Sequence, residues 1–158
     1  MRSRSPWVAL LGAIVLAVFM GSACATTARV VSFTDVASAA TSRHEGGPAL
    51  IIGTTDDARA TIASMRPGLS IPEGVVVIAV FQGRQPTGGF GIRVTRVERQ
   101  GDRLVVHAIF SKPLDNAFVT DLVTSPLHIV SIPASDWTGA REAVLLDETG
   151  TERARALG

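Results

Sequence analysis

The chain has 158 residues, 46% of them hydrophobic and 18% charged, with a formal net charge of +1. A single cysteine excludes an internal disulfide, and the near-neutral balance argues against a nucleic-acid or polybasic membrane surface. Once residues 1–23 are set aside as below, Lys+Arg falls from 15 to 13 against 14 Asp+Glu, and the charge becomes −1. About 135 residues then remain, enough for one domain with a real core.

Arg2 and Arg4 precede the unbroken apolar run "WVALLGAIVLAVFMG" (7–21), and small residues follow to Cys24. A charged start, an apolar centre and a small-residue exit are the parts of a secretory signal. The run is shorter than the roughly 20 residues of a spanning helix; a retained N-terminal anchor stays open. "MGSAC" (20–24) resembles a bacterial lipobox, although Gly21 stands where a larger aliphatic residue is usual. Lipidation of Cys24 would use the lone thiol and supply membrane affinity of about 0.8 kcal/mol per buried CH₂. The alternative is cleavage after Ala25, which discards Cys24. The expected location is the bacterial cell envelope, lipid-anchored, at an outer membrane where one exists, since Ala25 is not the aspartate linked to inner-membrane retention. A secreted or periplasmic protein is the alternative.

"RVVSF" (29–33) predicts a short strand, "SAATSRHEGGP" (38–48) a polar flexible loop, and "ALIIG" (49–53) a second short strand. "TTDDARATIASM" (54–65) changes period. Thr54 with Asp57 fits a capping box, Ala58, Ile62 and Met65 share a face, and Pro67-Gly68 stops the helix. "GVVVIAVF" (74–81) is continuously apolar and predicts a central strand covered on both sides. "FGIRVTRV" (90–97) alternates, with Phe90, Ile92 and Val94 inward. Val97 breaks that parity and predicts a bulge or a bend near Arg96.

Gly101-Asp102 forms the expected two-residue turn into "LVVHAIF" (104–110), where Leu104, Val106, Ala108 and Phe110 share one face. Residues 111–126 predict either a short strand near 118–124 or a helical turn. "LHIVSIP" (127–133) predicts a strand, "AVLLD" (143–147) a last edge strand, and residues 151–158 a fraying tail. The sum is one α+β domain over 49–150, dominated by antiparallel sheet with one short helix and sandwich-like in character.

"QGRQPTGGFGIRV" (82–94) places Pro86, Gly83, Gly88 and Gly89 between two strands. Gly83 and Gly88 have GxxxxG spacing, but the lysine and the following helix of a phosphate loop are missing. Pro86 restrains the chain and the glycines open backbone angles denied to other residues. The result is a rigid corner displaying Arg84, Gln85 and Thr87, with Phe90 plugged into the core. Such a tip either binds another protein or only turns the chain.

No GxSxG elbow and no HExxH motif occur. His44 beside Glu45 could ligate a metal weakly, but sits in a polar loop. His107 and His128 read as half-buried strand histidines, and two histidines without a third ligand make a poor zinc site. Arg93, Arg96, Arg99 and Arg103 surround the hairpin with Glu98 and Asp102 among them. That is a mixed solvated face, with an acidic partner as the sharper alternative. Trp137 is expected to anchor the C-terminal segment. No catalytic residue, cofactor or metal ligand is assigned.

Residues 75–110, followed by "TSPLHIVSIP" (124–133), resemble the PrcB C-terminal domain family of bacterial lipoproteins and secreted proteins. The likeness spans about 49–133. It is carried by Gly83, Pro86, Thr87, Gly88 and Gly89, with Phe90 where tyrosine is common, and by Pro126, His128, Val130, Ile132 and Pro133. It implies a noncatalytic domain that binds or stabilises an envelope or surface protein, since the family takes its name from a subunit of a surface protease complex. The candidate partner-binding loop is then Arg84, Gln85, Pro86, Thr87, Gly88, Gly89 and Phe90. "QPTGGF" (85–90) is also similar to the "NPTTGF" loop of chagasin-type cysteine peptidase inhibitors, but their later arginine-proline-tryptophan loop has no counterpart. The expected partners are a protein and, through Cys24, a membrane, with no nucleic acid. A peptidase inhibitor is the alternative, and a hydrolase ranks behind both.

Overall fold

The computed structural model describes residues 27–158. The leader and Cys24 lie outside the described residues. In chain order the elements are β1 (Arg29–Val31), β2 (Thr34–Ala39), β3 (Ala49–Gly53), α1 (Asp56–Met65), β4 (Val75–Phe81), β5 (Gly91–Gln100), β6 (Arg103–Ser111), β7 (Leu127–Pro133), α2 (Ala134–Trp137), β8 (Glu142–Leu146) and β9 (Glu152–Leu157). They build one sheet in the order β2-β7-β4-β3 and another in the order β1-β5-β6-β8-β9. All pairings are antiparallel except β6 with β8.

The two sheets close on a shared core. Leu50, Ile52, Val76, Ile78, Val80, Val130 and Ile132 from the first face Val94, Val97, Leu104, Val106, Ala108, Ala143 and Leu145 from the second. The opposite residues of β4 and β7, namely Val77, Ala79, Phe81, Leu127 and Ile129, form a second core with Ile62 of α1. The unbroken apolar run of β4 and the burial of β7 from Leu127 to Ile132 follow from this: each central strand is covered on one side by a sheet and on the other by the helix and its flanking loops. Arg59 ties α1 down by donating to the Val75 carbonyl at 2.9 Å and the Pro72 carbonyl at 2.5 Å. The architecture is a mixed α+β, mainly antiparallel two-sheet sandwich with few and short helices.

The β5–β6 hairpin takes the expected register, with Gln100 opposite Arg103 across the two-residue turn. Pairing passes from Val94↔Ala108 to Arg96↔His107 and leaves Thr95 over. That bulge reverses the parity of the strand and turns Val97 into the core.

Other expectations are corrected. The helix cap is Thr55, whose side chain accepts the Ala58 N–H at 3.2 Å, and not Thr54. Residues 34–39, partly assigned to loop, pair with β7 as an edge strand. Residues 118–124 form neither strand nor helix, because their backbone is drawn to neighbouring loops. β8 is no edge: it lies between β6 and β9. The expected fraying tail is instead β9, held because Ala154 and Ala156 pack on the core while its charged residues face out. A single-turn helix, α2, escaped the pattern reading. Trp137 packs at the rim of the core beside the chain end, where a Cβ on Gly158 would meet its ring at 2.8 Å.

Candidate functional site

Three loops meet at the end of the sandwich where β4 finishes and β7 begins: residues 40–48, 82–90 and 112–126. Their backbones are stitched together. Gln82 N–H donates to Pro126 O at 3.0 Å and Arg84 N–H to Gly46 O at 2.9 Å. Gln85 and Thr124 exchange both hydrogen bonds, at 2.8 and 3.0 Å, and Gly88 N–H donates to Thr120 O at 2.9 Å. The Thr124 hydroxyl donates to Thr87 O at 2.8 Å. Loop backbone that leaves the sheets is thus paired again, as buried amides require.

Two glycines make the approach possible, for different reasons. Gly83 has φ of +85°, and a Cβ there would lie 2.6 Å from the carbonyl carbon of Gly47. Gly88 keeps an ordinary φ, but a Cβ would fall 2.4 Å from Thr120 Oγ1. Its smallness and not its backbone freedom is what the site uses.

The predicted tip is therefore only partly a tip. Arg84, Pro86 and Gly89 are exposed; Gln85 and Thr87 are half-buried with inward hydrogen bonds, and Gly88 is buried. Phe90 is half-buried and joins neither core cluster, correcting its expected role as a core plug. What the end displays instead is the loop lying over the glycines. Leu114, Phe118, Val119, Leu122 and Val123 are all exposed, Phe118 fully at 107%. Reading residues 111–126 only for secondary structure missed this. The available signal was five large apolar residues in ten with no period to bury them.

The other candidates separate. His128 is 5% exposed and faces the inter-sheet core. Its Nδ1 accepts the Val94 N–H at 3.0 Å, an amide at the bulge, and its Nε2 lies 3.2 Å from Asp35 Oδ1. Burial holds this imidazole below its ordinary 6.5; Asp35 opposes the shift and Arg93 adds to it. His107 is on the far side of the second sheet, 3.3 Å from Glu98 Oε2, so the two histidines do not converge. His44 packs tilted on Phe81 at 4.8 Å, and its Nε2 meets Gly47 O at 2.8 Å. Beside it Ser42 and Ser125 share a 3.0 Å hydroxyl contact, and Ser125 donates to His44 O at 2.5 Å. These serines are engaged with backbone and each other; neither hydroxyl is paired with the His44 ring among the described hydrogen bonds. No group of three His, Cys, Asp or Glu that could hold a metal occurs among the described residues.

Three of the four hairpin arginines are engaged, and Arg93 is exposed. Arg96 pairs with Glu98, Arg103 with Glu142 at 2.6 Å, and Arg99 donates to the carbonyls of Asp136, Trp137 and Thr138. Among the described residues, no helix is long and apolar enough to cross a membrane.

Fold and site together define a two-sheet α+β domain with a rigid, loop-built end that exposes apolar side chains. Residues 76–133 match the family model described as PrcB C-terminal, so this stretch of the chain is similar to that family. The match runs from β4 through β7, so it contains the glycine loop and the apolar loop; β3 and α1, within the span of the sequence resemblance, precede it. No curated protein matches the chain significantly, and no solved structure does.

Proposed function

We propose that this protein is a noncatalytic, exported domain, anchored through a lipid on Cys24, that binds or stabilises an envelope or surface protein through its three-loop end. The single observation that carries the reading is the exposed apolar loop held rigidly over the glycine corner. Several large apolar side chains exposed within one short loop are the kind of surface that marks interaction sites. Burying each of Leu114, Phe118, Leu122 and Val123 would contribute about 1.5–3 kcal/mol before association costs are subtracted. Because the loop is pinned by backbone hydrogen bonds, docking loses little conformational entropy. The association of the family with protease-complex subunits makes a surface protease the first partner to test.

The chagasin-type reading gains nothing from the geometry. Its "PTGG" residues would have to enter a cleft, and here Gly88 is buried against Thr120 while Thr87 O is already bonded.

Site-specific photo-crosslinking in intact cells tests the proposal. A photoreactive residue at 118 or 122 is expected to trap one protein, and the same group at exposed Thr61 on α1 is not. Equal trapping from Thr61, or none from 118 and 122, overturns it. Mass analysis of the trapped chain reports the state of Cys24.

A further inference from the structure

We infer that the pocket on the other side of the glycine corner, lined by Gln82, Arg84, Phe90, Phe110, Lys112 and Arg153, receives an acidic peptide segment of the protein partner. The inference rests on the docking reading above and gives that partner a second, chemically distinct contact. The cavity is about 350 Å³, at the small end of ligand sites and enough for a short stretch of extended chain.

Gln82 supplies the first argument. It is only 7% exposed, and its amide orientation is set because Nε2 donates to Ser111 O at 2.9 Å. Its Oε1 is buried and has no hydrogen-bond partner. A buried acceptor left unpaired carries a desolvation penalty, and a donor brought by a ligand would relieve it. A peptide N–H is such a donor.

Charge supplies the second. Arg84 and Lys112 have no ion pair or side-chain hydrogen bond among the described residues. The Arg153 guanidinium stacks over Phe110, 5.3 Å from the ring centre, with Asp147 at 3.6 Å. Two carboxylates also line the pocket, Asp147 fully engaged and Glu148 through one oxygen. Asp147 Oδ1 accepts from the backbone of Thr149 and Thr151 and from the Thr149 hydroxyl. Glu148 Oε2 accepts the Phe110 N–H at 3.1 Å. Arg84 and Lys112 outnumber Glu148 among the pocket charges without an ion pair, so the balance is positive, and half-buried Phe90 and Phe110 add apolar lining. A donor-bearing backbone, carboxylate side chains and small apolar groups together describe an acidic peptide.

The test uses the whole protein with three probes: the blocked peptide Leu-Glu-Leu-Glu-Leu, its Leu-Lys-Leu-Lys-Leu counterpart, and inorganic phosphate. Binding is read by fluorescence anisotropy and by the NMR signal of the Gln82 side-chain amide. The glutamate peptide is expected to bind, to shift the Gln82 signal and to weaken with added salt. Arg84→Ala with Lys112→Ala, both at exposed positions, should lower its affinity about tenfold without changing the melting temperature. Equal binding of the lysine peptide, an unmoved Gln82 signal, or the same shifts from phosphate alone would overturn the assignment. The double variant is also carried into the crosslinking experiment at residue 118. Trapping that persists without any peptide binding sinks the pocket and leaves the docking reading standing; peptide binding without trapping does the reverse.

Discussion

Replacing Gly83 with alanine tests the idea that the three loops are locked by close backbone approach. Two costs add. A side chain at φ near +85° enters the left-handed region, at about 1–2 kcal/mol. The new Cβ would also lie 2.6 Å from Gly47 C and 2.8 Å from both Gly46 O and Gly47 Cα. All three are backbone atoms, so relief requires moving residues 46–47 and weakening the Arg84-to-Gly46 hydrogen bond. Overpacking of that kind costs about 1–3 kcal/mol. Gly68→Ala is the matched control, since φ is +78° and nothing lies within 4 Å of its Cβ. Both variants lose the same unfolded-chain entropy, so that contribution cancels in the comparison. Urea unfolding is expected to show, before the shared entropy contribution, a loss of about 1–2 kcal/mol for Gly68→Ala and about 2–5 kcal/mol for Gly83→Ala. The excess should appear as a melting temperature lower by several degrees, at about 3 °C per kcal/mol for a domain of this size. Losses equal within about 0.5 kcal/mol would refute the argument, because a strained φ would then be the whole effect.

Three further outcomes follow from the geometry. Thr55→Ala should cost about 1 kcal/mol by removing the cap of α1, whereas Thr54→Ala should be close to neutral in the same unfolding assay. His128 holds a proton less tightly when folded than when unfolded, so the unfolded chain takes up the extra proton as pH falls through 6.5. Stability is then full above that pH and declines below it, with a slope of at most about 1.4 kcal/mol per unit until the lowered folded value is passed. Unfolding measured between pH 5 and 8 should show this slope in the native protein and lose it in His128→Gln; an unchanged slope in the variant assigns it elsewhere. Asp147→Ala removes the acceptor that closes the β8–β9 turn, and hydrogen exchange should find β9 amides losing protection while β4 and β7 keep theirs.

The sequence by itself determined the elements whose burial is written in residue period. A continuous apolar run specified β4, a strand-like stretch bounded by Pro126 and Pro133 specified β7, alternation specified β5 and β6, and the broken parity at Val97 pointed to a bulge or a bend. It also carried the resemblance to the PrcB C-terminal family model, because the glycine corner and the late Pro-bounded strand sit at recognisable spacing. Tertiary structure alone decided what depends on distant partners. "TDVASA" (34–39) and "ERARAL" (152–157) become strands because the edges of β7 and β8 offer them unpaired backbone, not through apolar pattern. The parallel placement of β8 on β6 is invisible to any local signal. So is the fate of the glycine loop, whose space is taken by Thr120 and Gly47, more than thirty residues away on either side. Local period reports which side chains are buried; which backbones meet, and which apolar residues are left over at the surface, is set by long-range pairing that a short window of sequence does not contain.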